Sequence, residues 1–162
     1  MTHSARPGPR RRPDPDPVPP LQRPEEAPPV RNDEDVRRRW RSLLGDGGFQ
    51  RTTLWIVWYD ADGRQLPVVV PIDDLPQALE PAALQNLMII LAEPASMGAA
   101  SVALALSRPG PGSVTAADRQ RANAILAAVD RARRQKAFDL RVWPIHLATA
   151  NSVRVLSVDD LV

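Results

Sequence analysis

The segment Val102-Ala-Leu-Ala-Leu106-Ser-Arg108-Pro-Gly-Pro-Gly112-Ser-Val-Thr115-Ala-Ala-Asp118 compresses a complete structural transition. Val102–Leu106 is an apolar run of strand length, and Ser107-Arg-Pro-Gly-Pro-Gly112 is a cluster of breakers that ends it. Thr115 with Asp118 three residues on resembles a capping box, Asp standing in for the usual Glu or Gln, and so predicts a helix start. Ala122, Ile125, Leu126 and Val129 then recur at helical spacing as the inward stripe of that helix.

Upstream, Leu54–Tyr59 is rich in β-branched and aromatic residues, Asp60-Ala-Asp-Gly63 supplies turn chemistry, and Leu66–Ile72 favours a second strand through Val68–Val70. These residues predict a hairpin, with Pro71 and Pro76 at its exit. Pro81 suits the first turn of a helix to Ala92, where Leu84, Leu87, Met88 and Leu91 repeat at helical spacing. Ile89 and Ile90 widen that stripe and predict burial on more than one side. Downstream, Leu140–Thr149 and Val153–Val158 read as two last strands with a turn at Ala150-Asn-Ser152. The order β-β-α-β-α-β-β predicts an α/β (α+β) domain over residues 52–162, a small mixed sheet with helices packed on it.

Before the hairpin, Asn32 or Asp33 caps a short amphipathic helix over residues 32–45, with Glu34 and Asp35 in its first turn and Arg37–Arg39 and Arg41 towards its end, in accord with the helix dipole. Gly45, Gly47 and Gly48 stop it. Val36, Trp40, Leu43 and Leu44 form one apolar stripe, fit to dock on the domain or on a partner. Ten of the 18 prolines lie in residues 1–30, mixed with Arg, Asp and Glu. Such a composition buries too little surface to offset its conformational entropy, so residues 1–31 are expected to form a disordered Pro/Arg-rich tail.

At 162 residues, 43% hydrophobic and 25% charged, the chain has room for one domain and not for a large multidomain enzyme. Cysteine is absent, which excludes disulfides, thiolate zinc sites and a cysteine nucleophile. His3 and His146 are the two histidines. The basic excess lies in the N-terminal part, where ten arginines face seven acids up to Arg41, against eleven basic and twelve acidic residues beyond it. The N-terminus alternates Arg and Pro without the apolar core of a signal peptide. The longest charge-free runs, Pro81–Ala92 and Pro94–Ser107, fall short of the roughly 20 residues a membrane span needs. A cytoplasmic location without a membrane partner is expected.

The order of elements and the segment from Leu106 to Asp118 resemble the RadC-type branch of the JAB/JAMM metalloprotease-like domains, related in fold to the deaminases. The resemblance covers roughly Leu54 to Leu161. Its members carry a strand running into H-x-H-P-S-G and then S-x-x-D at a helix start. Here Leu106 and Arg108 stand where the two histidines would be, Thr115 replaces the serine, Asp118 matches the aspartate, and the spacing from Arg108 to Thr115 is one residue short. Ile145-His146-Leu147-Ala148 resembles the D-H-I-I segment on the next strand.

That family's chemistry uses two His and one Asp to hold zinc with an open position for a nucleophilic water. A lone Asp does not hold zinc, and Arg108 in its place repels a cation. The resemblance therefore implies a degenerate member: no metal, no cofactor and no isopeptidase-type hydrolysis. The deaminase chemistry fails equally, since it needs H-x-E with P-C-x-x-C.

His146 alternates with apolar neighbours, and a strand histidine bonded to backbone is its expected role. Ser107 and Ser113 lack the G-x-S-x-G context of a nucleophile elbow. Arg108, between a strand and a helix start, either pairs with Asp118 across the vacated cleft or holds an anion. Three functional classes follow. The first is a non-catalytic JAB-like interaction domain with a protein partner at Val36, Trp40 and Leu44. The second is a weak nucleic-acid binder using Arg10, Arg11, Arg12, Arg37, Arg38, Arg39, Arg131 and Arg134, with Arg133 and Lys136 beside them. The third is a hydrolase with a non-standard site around Asp118 and His146. The oligomeric state is left open.

Overall fold

Leu54, Ile56 and Trp58 of β1 (Thr53–Asp60) face one apolar core while Val57 and Tyr59 face another, the two-residue period of a strand covered on both sides. β3 (Ala99–Ser107) repeats the pattern, with Val102, Leu104 and Leu106 on the first side and Ala103 and Ala105 on the second. The computed structural model describes residues 18–162 and is a mixed α+β structure of three helices on a six-stranded sheet. Besides β1 and β3, the elements are α1 (Asp33–Leu44), β2 (Gln65–Asp73), α2 (Pro81–Ala92), α3 (Ala116–Arg134), β4 (Arg141–Val142), β5 (His146–Thr149) and β6 (Ser152–Val155).

The strands lie in the order β2-β1-β3-β5-β6, with β4 also paired to β3. β1 is antiparallel to both neighbours, and β5 joins β3 in parallel before turning back into β6. α2 and α3 cover the first core: Leu87 and Leu91 from one, Ala122, Ile125 and Val129 from the other. The small residues Ala103, Ala105 and Ala148 leave room on the opposite face for Val36 and Trp40 of α1. No helix among the described residues is long and apolar enough to cross a membrane.

Four expectations change. Leu140–Thr149 is not one strand: Pro144 has no N–H for the ladder, so the bonding to β3 ends with the Trp143 N–H on the Val102 carbonyl and resumes at His146. The last strand ends at Val155, and a 3-10 turn spans Val158–Leu161. The widening of the α2 stripe through Ile89 does not hold: Leu87 and Leu91 are its buried residues, whereas Ile89 is 64% exposed. Finally, residues 18–31 are ordered against the domain: Ala27 and Val30 are buried, the Val30 N–H donates to Gly63, and the Pro20 and Gln22 carbonyls accept from Ser42 and Arg39 of α1. Their backbone polar groups find partners that a composition count does not reveal. The rest of the expected tail, residues 1–17, lies outside the described residues.

Candidate functional site

At the end of β3 the Arg108 N–H donates to the Ala148 carbonyl at 3.2 Å, holding the Gly/Pro loop beside β5. The Arg108 side chain then turns under that loop. Its Nε and Nη2 donate to the two Asp118 carboxylate oxygens at 2.8 and 2.7 Å, a bidentate pair. Nη1 donates to the carbonyls of Pro109 and Pro111 at 3.0 and 2.9 Å, and Nη2 also to that of Ser113 at 2.9 Å. A guanidinium has five N–H donors. All five are engaged by the chain itself.

Asp118 is 1% exposed and Arg108 7%. Its carboxylate also accepts from the Thr115 N–H at 2.9 Å while the Thr115 hydroxyl accepts from the Asp118 N–H, so the capping box is formed. Burial pushes the Asp118 carboxyl up, but the hydrogen bonds from Arg108 and the Thr115 amide, with the Arg108 charge, outweigh it and hold the group below its ordinary value. Gly110, at φ +94°, lets the loop curl over the guanidinium in a left-handed conformation that costs a residue with a Cβ more.

Leu106 is 1% exposed and packs in the core with α3. The positions where the resembling family binds zinc thus hold an aliphatic side chain and a cation engaged at every donor, and these residues do not fit the metal. Among the described residues no three His, Asp or Glu side chains gather where they could hold a metal ion. The anion alternative for Arg108 has no donor left to serve it.

His146 lies elsewhere. It stands opposite Ala105 of β3, whose side chain belongs to the α1 core, and so faces away from Asp118. It is wholly buried; Nδ1 bonds the Pro144 carbonyl at 3.0 Å and Nε2 has no partner. Burial dominates and lowers its pKa to about 4, against the raising effects of the Pro144 carbonyl, Asp33 and Glu34, with Arg37 adding to the lowering. Ser107 accepts a hydrogen bond from Trp55 Nε1 at 2.8 Å. Among the described residues Ser107, Asp118 and His146 form no relay, and Asp118 and His146 no common site.

The surface assignments are redrawn as well. Val36 and Trp40 are fully buried on this chain's own sheet and Leu44 packs against the same core, so the α1 stripe is not a free surface. Arg39 is buried and Arg37 pairs with Glu34, which leaves Arg38 as the exposed member of that run. Arg131, Arg133, Arg134 and Lys136 are exposed at the end of α3, where Arg134 pairs with Asp130 and Arg133 lies over the Phe138 ring. Arg10, Arg11 and Arg12 lie outside the described residues. Compared with known proteins, the chain matches no family model and no curated protein.

Two groups escaped the sequence reading. The loop carbonyls that bind Arg108 carry no side-chain signal, and the Arg39–Gln65 bond joins residues 26 positions apart.

Proposed function

We propose that this chain is a non-catalytic, RadC-type JAB-like interaction domain of a cytoplasmic protein, working through its surface rather than through a reactive centre. The observation that carries the reading is the saturation of Arg108. A guanidinium tied to Asp118 and three loop carbonyls fixes the loop that would border a metal cleft, and neither an open coordination position nor a free donor remains for chemistry. The fold class and the position of Asp118 at the start of a helix support the family resemblance; the resemblance itself remains part of the proposal.

With Trp40 buried, the large apolar side chains in solvent include Leu21 ahead of α1 and Val158 and Val162 near the C-terminal end and, on the other face, Ile89 on α2 and Met97 in the following 3-10 turn, 64% and 57% exposed. Ile89 borders a groove of about 660 Å³ between α2 and α3 that Leu84, Met88 and Ala128 also line. The reading assigns a protein partner to this face. The test is capture of the tagged full chain from its native cells, with and without nuclease, beside an Ile89→Glu variant and with zinc analysis of the purified protein. A defined protein that survives nuclease and is lost from the variant supports the reading. Stoichiometric zinc, or recovery that collapses with nuclease, overturns it, the latter in favour of nucleic-acid binding through Arg131, Arg133, Arg134 and Lys136.

A further inference from the structure

Among the described residues Arg39 is a buried cation with no carboxylate at hydrogen-bond or ion-pair distance. It is 6% exposed, its Nε donates to Gln65 Oε1 at 2.6 Å, its Nη2 donates to the Gln22 carbonyl at 3.0 Å, and its Nη1 has no partner. Around it the imbalance has one sign. Gln65 faces Tyr59 directly across the β1–β2 ladder, so the two side chains share the face under α1. The Gln65 Nε2 and the Tyr59 hydroxyl are likewise buried and unpartnered and each can donate a hydrogen bond, the hydroxyl also accepting one; of these residues Arg39 is the one that lines the cavity described below. A buried guanidinium among unmatched donors calls for an acceptor that also carries negative charge, since a neutral acceptor satisfies the N–H groups and leaves the charge uncompensated.

Arg39 also lines a cavity of about 80 Å³ between α1 and residues 19–29, together with Gln22, Asp35, Arg38 and Ser42. Two guanidinium side chains face it against one carboxylate, and Asp35 already accepts from the Arg31 N–H at 2.9 Å. A water's share of liquid volume is about 30 Å³, so the space admits a small ion and excludes a nucleotide or a peptide. We infer that Arg39 binds a small monovalent anion, of halide to acetate size, in this cavity. The ion is held between α1 and the segment whose Gln22 carbonyl Arg39 already grips, so occupancy fastens residues 18–31 to the domain. This inference is independent of the reading of Arg108.

The test uses the purified full chain, melted in sodium gluconate with chloride replacing gluconate at constant ionic strength. Saturable stabilisation is expected, about 4 °C at ten times the dissociation constant. Arg39→Met should abolish the response. Wild-type crystals soaked in bromide should show an anomalous peak within hydrogen-bond distance of Arg39, which decides the matter even if the variant does not fold. A flat chloride titration, a response that persists in Arg39→Met, or ordered waters alone beside Arg39 in the bromide-soaked crystal would each overturn the inference.

Discussion

Removing the Arg108 guanidinium leaves the Asp118 carboxylate buried with the Thr115 amide as its remaining donor and strands three loop carbonyls. Breaking such a pair from one side costs about 3–5 kcal/mol, because the surviving charge stays desolvated. Arg108→Met should therefore lower urea-unfolding stability by that amount. Changing Asp118 to Leu in the same chain should recover the part of the loss that comes from the stranded charge, leaving the cost of the three unbonded loop carbonyls and of the lost capping-box bond. The native Asp118 carboxyl is held below its ordinary value, so its contribution is present above that value and fades as pH falls through the native one. His146 acts in a separate window. Its native pKa of about 4 lies below the ordinary 6.5, so the folded state disfavours the proton; its contribution is complete above 6.5 and is lost as pH falls towards 4. The loss is about 3 kcal/mol across that window. His146→Gln should flatten the stability slope there and leave in place the lower limb, to which Asp118 contributes together with Glu34 and Asp160, both also held below their ordinary values.

At the scale of elements, α1 is a core helix. Trp40→Ala should cost about 3–5 kcal/mol, as truncation of a fully buried aromatic does, and an unchanged melting temperature would contradict the packing. The segment ahead of α1 is fastened more locally. A Cβ on Gly63 would come within 2.3 Å of the Val30 carbonyl oxygen, at φ +80°. Gly63→Ala should accordingly release residues 18–31, seen as faster amide exchange at Val30 while the β3 amides keep their protection. Such cases show what the sequence made readable. The hairpin, α2 and the Thr115–Asp118 box are written in local periodicity and cap chemistry, so their positions agree closely with the structure. Pro144 was visible, but its effect depended on lying against β3 rather than at an edge. Residues 18–31 offered the composition of a tail, and their order comes from donors on α1 and an acceptor in the hairpin turn, partners distant in sequence. The Arg108–Asp118 pair was foreseeable because loop and cap bring the two charges together; the donors around Arg39 were not, since Tyr59 and Gln65 meet it through strand register.

For the whole molecule, the two faces of the sheet divide the labour. The α1 face is covered by Trp40 and by residues 18–31 and keeps a cavity of about 280 Å³ between Arg41, Leu44 and Phe49 on one side and Ala148 and Val153 on the other, while the end of β3 is locked by Arg108. The α2–α3 face keeps a large apolar side chain, Ile89, in solvent beside a groove. Ile89 contributes little to the core at 64% exposure, so Ile89→Glu should change stability by no more than about 0.5 kcal/mol. If that face receives a protein, the same substitution places a carboxylate in the desolvated centre of the contact and should weaken binding about 30-fold or more, equivalent to about 2 kcal/mol. The two measurements separate the roles: a variant that melts with the wild type yet loses its partner marks a binding surface, whereas one that melts early would return Ile89 to the core. Reversing cations outside the groove, Arg134→Glu with Lys136→Glu, supplies the contrast. A nucleic-acid ligand would lose affinity and salt dependence together, while a partner seated on Ile89 would keep a contact weakly sensitive to salt.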